Sequence, residues 1–159
     1  MIRLIHAKDD LDGFLVLLKE YTDGILQLDD EVARTLSSQH LEDELNDVEK
    51  KYGFPSGRMY VALVDDEIAG CVALTRTDDH YCEIKRLYVR PKYRGQHVSR
   101  ILCDKIIADA KSIGYKYMRL DTFPFMQNAI RLYERYGFDY IQRYNDNPAE
   151  NAIFMQLTL

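Results

Sequence analysis

Ile84-Lys85-Arg86-Leu87-Tyr88-Val89-Arg90-Pro91-Lys92-Tyr93-Arg94-Gly95, continued by Gln96-His97-Val98-Ser99-Arg100, is the stretch on which the reading of the fold turns. Its first half is apolar and β-branched enough for a strand, which runs from Tyr81 to Val89 and stops at Pro91. Ile84 and the pair Leu87 and Val89 sit on opposite parities. One apolar face survives only if an extra residue enters near Lys85–Arg86, so the strand is expected to carry a β-bulge. The second half is a turn leading into a helix. Such a turn exposes unpaired N–H groups with the positive end of the helix dipole behind them, a place for phosphate. An ordinary basic loop with Gly95 as a turn residue is the alternative.

Outward from this stretch, Val98, Ile101, Leu102, Ile106, Ala110 and Ile113 recur at helical spacing up to Gly114. Lys116 to Thr122 reads as the next strand, so 81–122 is a strand–helix–strand unit with a parallel crossover. Upstream, Met59–Val64 and Ile68–Thr75 form a hairpin about Asp65-Asp66. Two helices precede it, about 9 to 22, broken at Gly24, and one marked by Leu41, Leu45, Val48 and Tyr52. Downstream come a helix through Ala129, Leu132, Tyr133 and Tyr136, and strands near 138–144 and 152–158. The fold class is α/β with a mixed central sheet and helices on both faces.

The 159 residues suit one domain, 1–159, with one core. Hydrophobic residues make up 47% and charged residues 30%, a globular balance. There is no signal-peptide pattern and no apolar run of the roughly 20 residues a membrane span needs, so a cytoplasmic protein is expected, with no membrane partner. The net charge is −5, unevenly spread. Residues 9 to 50 hold thirteen acids and three bases, whereas 84 to 100 hold six bases and no acid. Such a molecule can draw an anion to one place and a cation to another. The acidic total, without a reading motif, argues against nucleic acid. Cys71, Cys82 and Cys103 are too scattered for a disulfide framework or a zinc site, and no metal is expected even with His80 nearby.

The run 84–95 resembles the coenzyme A signature of the GCN5-related N-acetyltransferases (GNAT). The later Ala129-Ile130-Arg131-Leu132-Tyr133-Glu134-Arg135-Tyr136-Gly137-Phe138 resembles a second motif of that family. The order of elements is similar from about residue 2 to 159. The resemblance implies a GNAT-like acyl-CoA N-acyltransferase fold, with acetyl-CoA as co-substrate and a small-molecule or peptide amine as acceptor. The protein would work as a monomer or a homodimer. A coenzyme A-binding sensor or interaction domain without transferase activity is the alternative. The pyrophosphate would lie on Arg94, Gly95, Gln96, His97, Val98, Ser99 and Arg100. The pantetheine arm would run between the 81–89 and 116–122 strands beside Leu87, Tyr88 and Val89. The family usually has glycine where His97 stands and glycine or alanine where Ser99 stands. An asparagine often found three residues before Ala129 is Met126 here, with Asn128 the neighbour assigned its role. His97 is expected in the first helical turn, with ordinary helical φ and ψ and its ring on the phosphate.

Acetyl transfer to an amine needs a base for the amine and an acid for the departing sulfur. Glu83, just before the bulge, is the base candidate, its alternative being a salt bridge to Lys85 or Arg86. His80 is a rival, more at home in the turn Asp78-Asp79-His80. Tyr133 is the acid candidate, since the family's tyrosine at this point protonates the sulfur; a core tyrosine is the other reading. Cys82 as an acyl-carrying nucleophile is disfavoured. The acidic 9–50 segment and Glu83 are expected to attract the amine as a cation.

Overall fold

The structure, a computed structural model, describes residues 1–26 and 41–159. It contains seven strands: β1 (Ile2–His6), β2 (Arg58–Val64), β3 (Glu67–Arg76), β4 (Tyr81–Val89), β5 (Tyr117–Thr122), β6 (Asp139–Ile141) and β7 (Ile153–Thr158). The described helices are α1 (Leu11–Leu26), α2 (Leu41–Asn46), α3 (Val48–Tyr52), α4 (Val98–Ile113) and α5 (Gln127–Tyr136). The strands form one mixed sheet in the order β1-β2-β3-β4-β5-β7-β6. β4 and β5 pair in parallel, as the strand–helix–strand unit requires. No helix among the described residues is long and apolar enough to cross a membrane.

Asp65 and Asp66 both have positive φ, 50° and 68°, which gives the β2–β3 hairpin a turn whose twist matches its strands. Two apolar layers sandwich the sheet. On one face Ile84, Val98, Leu102, Ile106 and Leu120 join α4 to β4 and β5. On the other Phe14, Leu17, Leu18, Val48 and Tyr52 join α1 and α3 to β2 and β3.

Three expectations are corrected. The N-terminal strand β1, absent from the sequence reading, pairs antiparallel with β2 from Ile2↔Val64 to His6↔Tyr60. Its five residues carry too little alternation to stand out beside a helix start. Gly24 does not break α1, which continues to Leu26. A helical glycine costs about 1 kcal/mol, less than the neighbouring Tyr21 and Ile25 gain by packing. The 41–52 helix is two helices, because Asp47 leaves helical geometry to cap α3, its Oδ1 accepting from Lys50 N at 3.3 Å. Of the acidic segment 9–50, Asp29, Asp30, Glu31 and the basic Arg34 lie outside the described residues.

The expected bulge is present. Cys71 pairs with Tyr88 and Ala73 with Lys85, so β4 has one residue more than β3 between those pairs. Arg86 takes it up with φ of 57°. Beyond the bulge the strands press together. A Cβ at Gly70 would lie 2.6 Å from the carbonyl oxygen of Tyr88, whereas one at Gly24 would meet nothing within 4 Å. Gly70→Ala should therefore destabilise the protein by about 1–3 kcal/mol. Gly24→Ala should stabilise it by about 0.5–1 kcal/mol. Urea unfolding of the two variants beside the parent checks both signs.

Candidate active site

The turn after β4 is a short 3-10 helix, Pro91–Tyr93, followed by Arg94 to His97 and then α4. Gly95 has φ of 82°. The backbone N–H groups of 95 to 100 donate to no acceptor among the described residues, and Ile101 N is the first to bond, to His97 O at 3.1 Å. Six successive free amides at a helix N-terminus make a concave cradle for an anion. His97 corrects an expectation. It is not in the helical region but in the left-handed one, φ 63° and ψ 19°, where it ends the turn as the N-cap without a side-chain cap bond. A family glycine fits there because the backbone itself turns left-handed.

The cations of 84–100 divide into two groups. Arg90 binds Glu20 through Nε at 3.0 Å and Nη2 at 2.5 Å, and Lys92 lies 3.3 Å from Glu67. Lys85 and Arg86 are also in ion pairs. Of these six cations, Arg94 and Arg100 have no carboxylate partner among the described residues, and they flank the free amides.

β4 and β5 are paired only from Tyr81↔Tyr117 to Glu83↔Arg119. Past Glu83 the bulge turns β4 away, and the two strands separate. The gap continues into a groove of about 790 Å³ lined by Leu87, Tyr88, Val89, Arg94, Gly95, His97, Val98, Ser99 and Asn128. The structure thus gathers nine of the assigned coenzyme residues. Gln96 and Arg100 lie outside the lining, although their amides are among the free ones. At its inner end the groove meets a cavity of about 60 Å³, the two sharing Tyr21, Ile25, Leu87, Met126 and Ala129.

This cavity passes through the split in the sheet. From the α4 side it is lined by Tyr133, and from the α1 side by Lys85, Arg86 and Asp121. Tyr133 is 7% exposed, and its hydroxyl has no hydrogen-bond partner among the described residues. Burial pushes the phenol well above its ordinary value, so it holds its proton. Asp121 accepts from Asn145 Nδ2 at 3.1 Å and Asn147 Nδ2 at 3.0 Å, and Lys85 Nζ stands 3.4 Å away. Burial works to raise this carboxyl, but the Lys85 charge and the two amides outweigh it and hold the group below its ordinary range. Glu83 does not line the cavity. It lies behind Lys85 at 3.3 Å and accepts from the Tyr144 hydroxyl at 2.9 Å. His80 sits in the exposed turn, with its N–H and that of Tyr81 donating to Asp78. Burial pushes the Cys82 thiol up to about 12, which removes it as a nucleophile.

Two residues that the sequence reading did not place in the site are Asp121 and Glu44. The Glu44 carboxylate accepts from Arg86 Nε at 2.8 Å and Nη2 at 3.0 Å, from Tyr52 OH at 2.6 Å and from Lys51 Nζ at 3.0 Å. Burial would raise Glu44, but the bonds and charge of Arg86, with Lys51 and Tyr52, bring it down to about 2.

Residues 25–138 match the model of the acetyltransferase (GNAT) family. The chain belongs to this family. It is 38% identical over 160 aligned residues to an uncharacterised N-acetyltransferase of Schizosaccharomyces pombe, spanning 99% of this chain and 94% of that one. An acetyltransferase of Streptococcus agalactiae has the same fold, with a TM-score of 0.80 at 22% identity over 99% of this chain and 98% of that chain. A GNAT acetyltransferase of Elizabethkingia anophelis, solved with acetyl-CoA bound, is 27% identical, with a TM-score of 0.56 over 65% of this chain and 77% of that chain. The chain is thus a GNAT N-acyltransferase in fold and family, and the groove and inner cavity lie where the two sequence motifs meet in space.

Two measurements test this site as a structure. His97→Gly should stabilise the GNAT chain by about 0.5–1 kcal/mol, because glycine adopts the left-handed turn without the Cβ clash. A lower melting temperature would show that the ring contributes more by contact than the backbone loses by strain. For Glu44, the folded value is depressed below the ordinary 4.5 to about 2. Its contribution is therefore fully present above pH 4.5 and lost as the pH falls from there towards 2. Glu44→Ala should cost about 3–5 kcal/mol at neutral pH by leaving Arg86 buried and unpaired. The variant's melting temperature should lose part of the parent's slope in that acid window.

Proposed function

We propose that this chain transfers the acetyl group of acetyl-CoA to a primary amine, by direct attack while both are bound. The observation that carries the reading is the continuity of three features: six free amides at the start of α4, an unpaired β4 edge, and a cavity through the sheet that ends on Tyr133. The chain's residues fit such a coenzyme part by part. Arg94, Arg100 and the amides of 95–100 suit a pyrophosphate. The backbone of Leu87 and Val89, with no strand paired to it on the β5 side, suits an extended amide-bearing arm. The co-substrate supplies an activated acyl group as a thioester.

The remaining roles belong to side chains. Tyr133 would donate its phenolic proton to the departing sulfur, and its elevated pKa keeps that proton on oxygen until the C–S bond breaks. The amine nitrogen forms the new bond to the acetyl carbon and must lose one proton. Glu83 would receive it through water, since the carboxylate stands behind Lys85 and outside the cavity wall. The amine would meet the thioester in the inner cavity, where Lys85, Arg86 and Asp121 form the wall. Glu20 and Glu44, two of the acids expected to draw it in, are tied to Arg90 and Arg86, and Asp121, the carboxylate of the cavity wall, is shared with Lys85.

The deciding experiment is calorimetry with acetyl-CoA followed by thiol release against a panel of amines. Binding should weaken as salt rises, since a polyanion meets Arg94 and Arg100. No binding at millimolar acetyl-CoA would end the proposal. Tyr133→Phe should lower kcat by about a hundredfold or more while leaving the acetyl-CoA Kd nearly unchanged. A lower melting temperature with unaltered kcat would make Tyr133 a core residue only.

A further inference from the structure

Arg86 is placed unlike any other cation among the described residues. It sits at the bulge in a left-handed conformation, φ 57°, and its side chain is 4% exposed. Glu44 takes two of its three nitrogens, Nε at 2.8 Å and Nη2 at 3.0 Å. The Tyr52 hydroxyl also lies beside the guanidinium, and no hydrogen-bond distance is found for the third nitrogen, Nη1, among the described residues. It is not sealed in protein either, because the one fully buried side-chain nitrogen or oxygen left without a partner among those residues is His6 Nε2. Arg86 lines the inner cavity. The residue that carries this edge thus borders the space where the acceptor would sit.

We propose that the acceptor is an amine that also carries a carboxylate, an amino acid in the broad sense, and that Arg86 Nη1 binds the carboxylate. The inference rests on the transferase reading above and names its substrate class. A guanidinium clamped along one edge is rigid, and its other edge presents donors in a fixed plane suited to a carboxylate oxygen. Glu44 cancels the formal charge, so the pair would bind by directed hydrogen bonds in a desolvated site more than by general attraction for anions. The opposite charge on the acceptor has its own wall. Asp121 lines the same cavity, its side chain 6% exposed, and is held ionised by Lys85 and two amide groups. A carboxylate facing Arg86 and an amine nitrogen accepted by Asp121 beside Lys85 would place both groups of such an acceptor on the one cavity. A polyamine would instead bring a second cation against Arg86, where like charges repel.

The test uses sets of acceptors that share a skeleton: an α-, β- or γ-amino acid, its carboxamide, and the amine lacking the group. Thiol release from acetyl-CoA is measured with each and compared per neutral amine. In the parent protein kcat/KM for at least one amino acid should exceed that for its carboxamide and its descarboxy amine by about 10–100-fold, carried mainly by KM. Carboxamides or plain amines that serve as well as every amino acid overturn the proposal and leave the transferase reading standing. Acetyl-CoA binding without turnover of any amine overturns both. The double variant Arg86→Met with Glu44→Gln removes the pair without leaving either charge alone, and there the preference should collapse towards unity. A preference that survives in a folded double variant assigns the carboxylate to another residue and also overturns the proposal. Should that variant fail to fold, the acceptor sets on the parent protein decide alone.

Discussion

The extra residue in β4 is the constraint on which the site depends. One left-handed residue, Arg86, lets Lys85 and Arg86 both serve the α1 side while Ile84 and Leu87 both serve the α4 side. Without it, the strand would keep strict alternation and remain hydrogen-bonded to β5 along its length. With it, pairing ends at Glu83↔Arg119, and the sheet opens in its middle instead of at an edge. A central opening costs backbone hydrogen bonds that a bound molecule can restore. The groove, the inner cavity and the two charged walls all border that gap.

The basic stretch 84–100 performs two separate tasks. Its first two cations are buried and neutralised, Lys85 by Glu83 and Asp121, Arg86 by Glu44. They shape a site and contribute little net field. Arg90 and Lys92 brace the turn by holding Glu20 and Glu67. Arg94, the one Lys or Arg side chain lining the groove, has no carboxylate partner among the described residues and stands next to the free amides. A sequence count of six bases therefore overstates the cationic field at the anion site, where the oriented amides supply much of the attraction.

Much of this was legible in the residues. The parity slip between Ile84 and Leu87 located the bulge, and helical spacing from Val98 to Ile113 gave α4 with its true ends. Those signals are local, and side-chain period is read directly from sequence. What escaped was non-local or conformational. Glu44 and Arg86 are 42 positions apart, and nothing in either neighbourhood announces the other. Asp121 lies 36 positions from Lys85, and only the β4–β5 pairing brings the two together. His97 looked like a first-turn residue because the helix signal begins beside it, yet the turn requires a left-handed residue at that point. The strand β1 was missed because its evidence lies in β2, whose edge it covers.

The Arg86–Glu44 pair joins two roles that stability alone would not bring together. Removing two charges from water costs about as much as their attraction returns, so a buried pair is a poor way to hold α2 against the sheet. Apolar packing, as Phe14, Leu17 and Leu18 provide for α1 on the same face, does that at less cost. What the pair supplies is placement. It fixes the guanidinium plane from one side, and Tyr52 and Lys51 fix the carboxylate in turn. A chain of such bonds leaves the last nitrogen in one orientation, at the cavity, without the entropy a free arginine would lose on binding. The geometry at the bulge thus links α3, α2 and β4 to the acceptor wall, and a shift in any of them is felt at Arg86 Nη1.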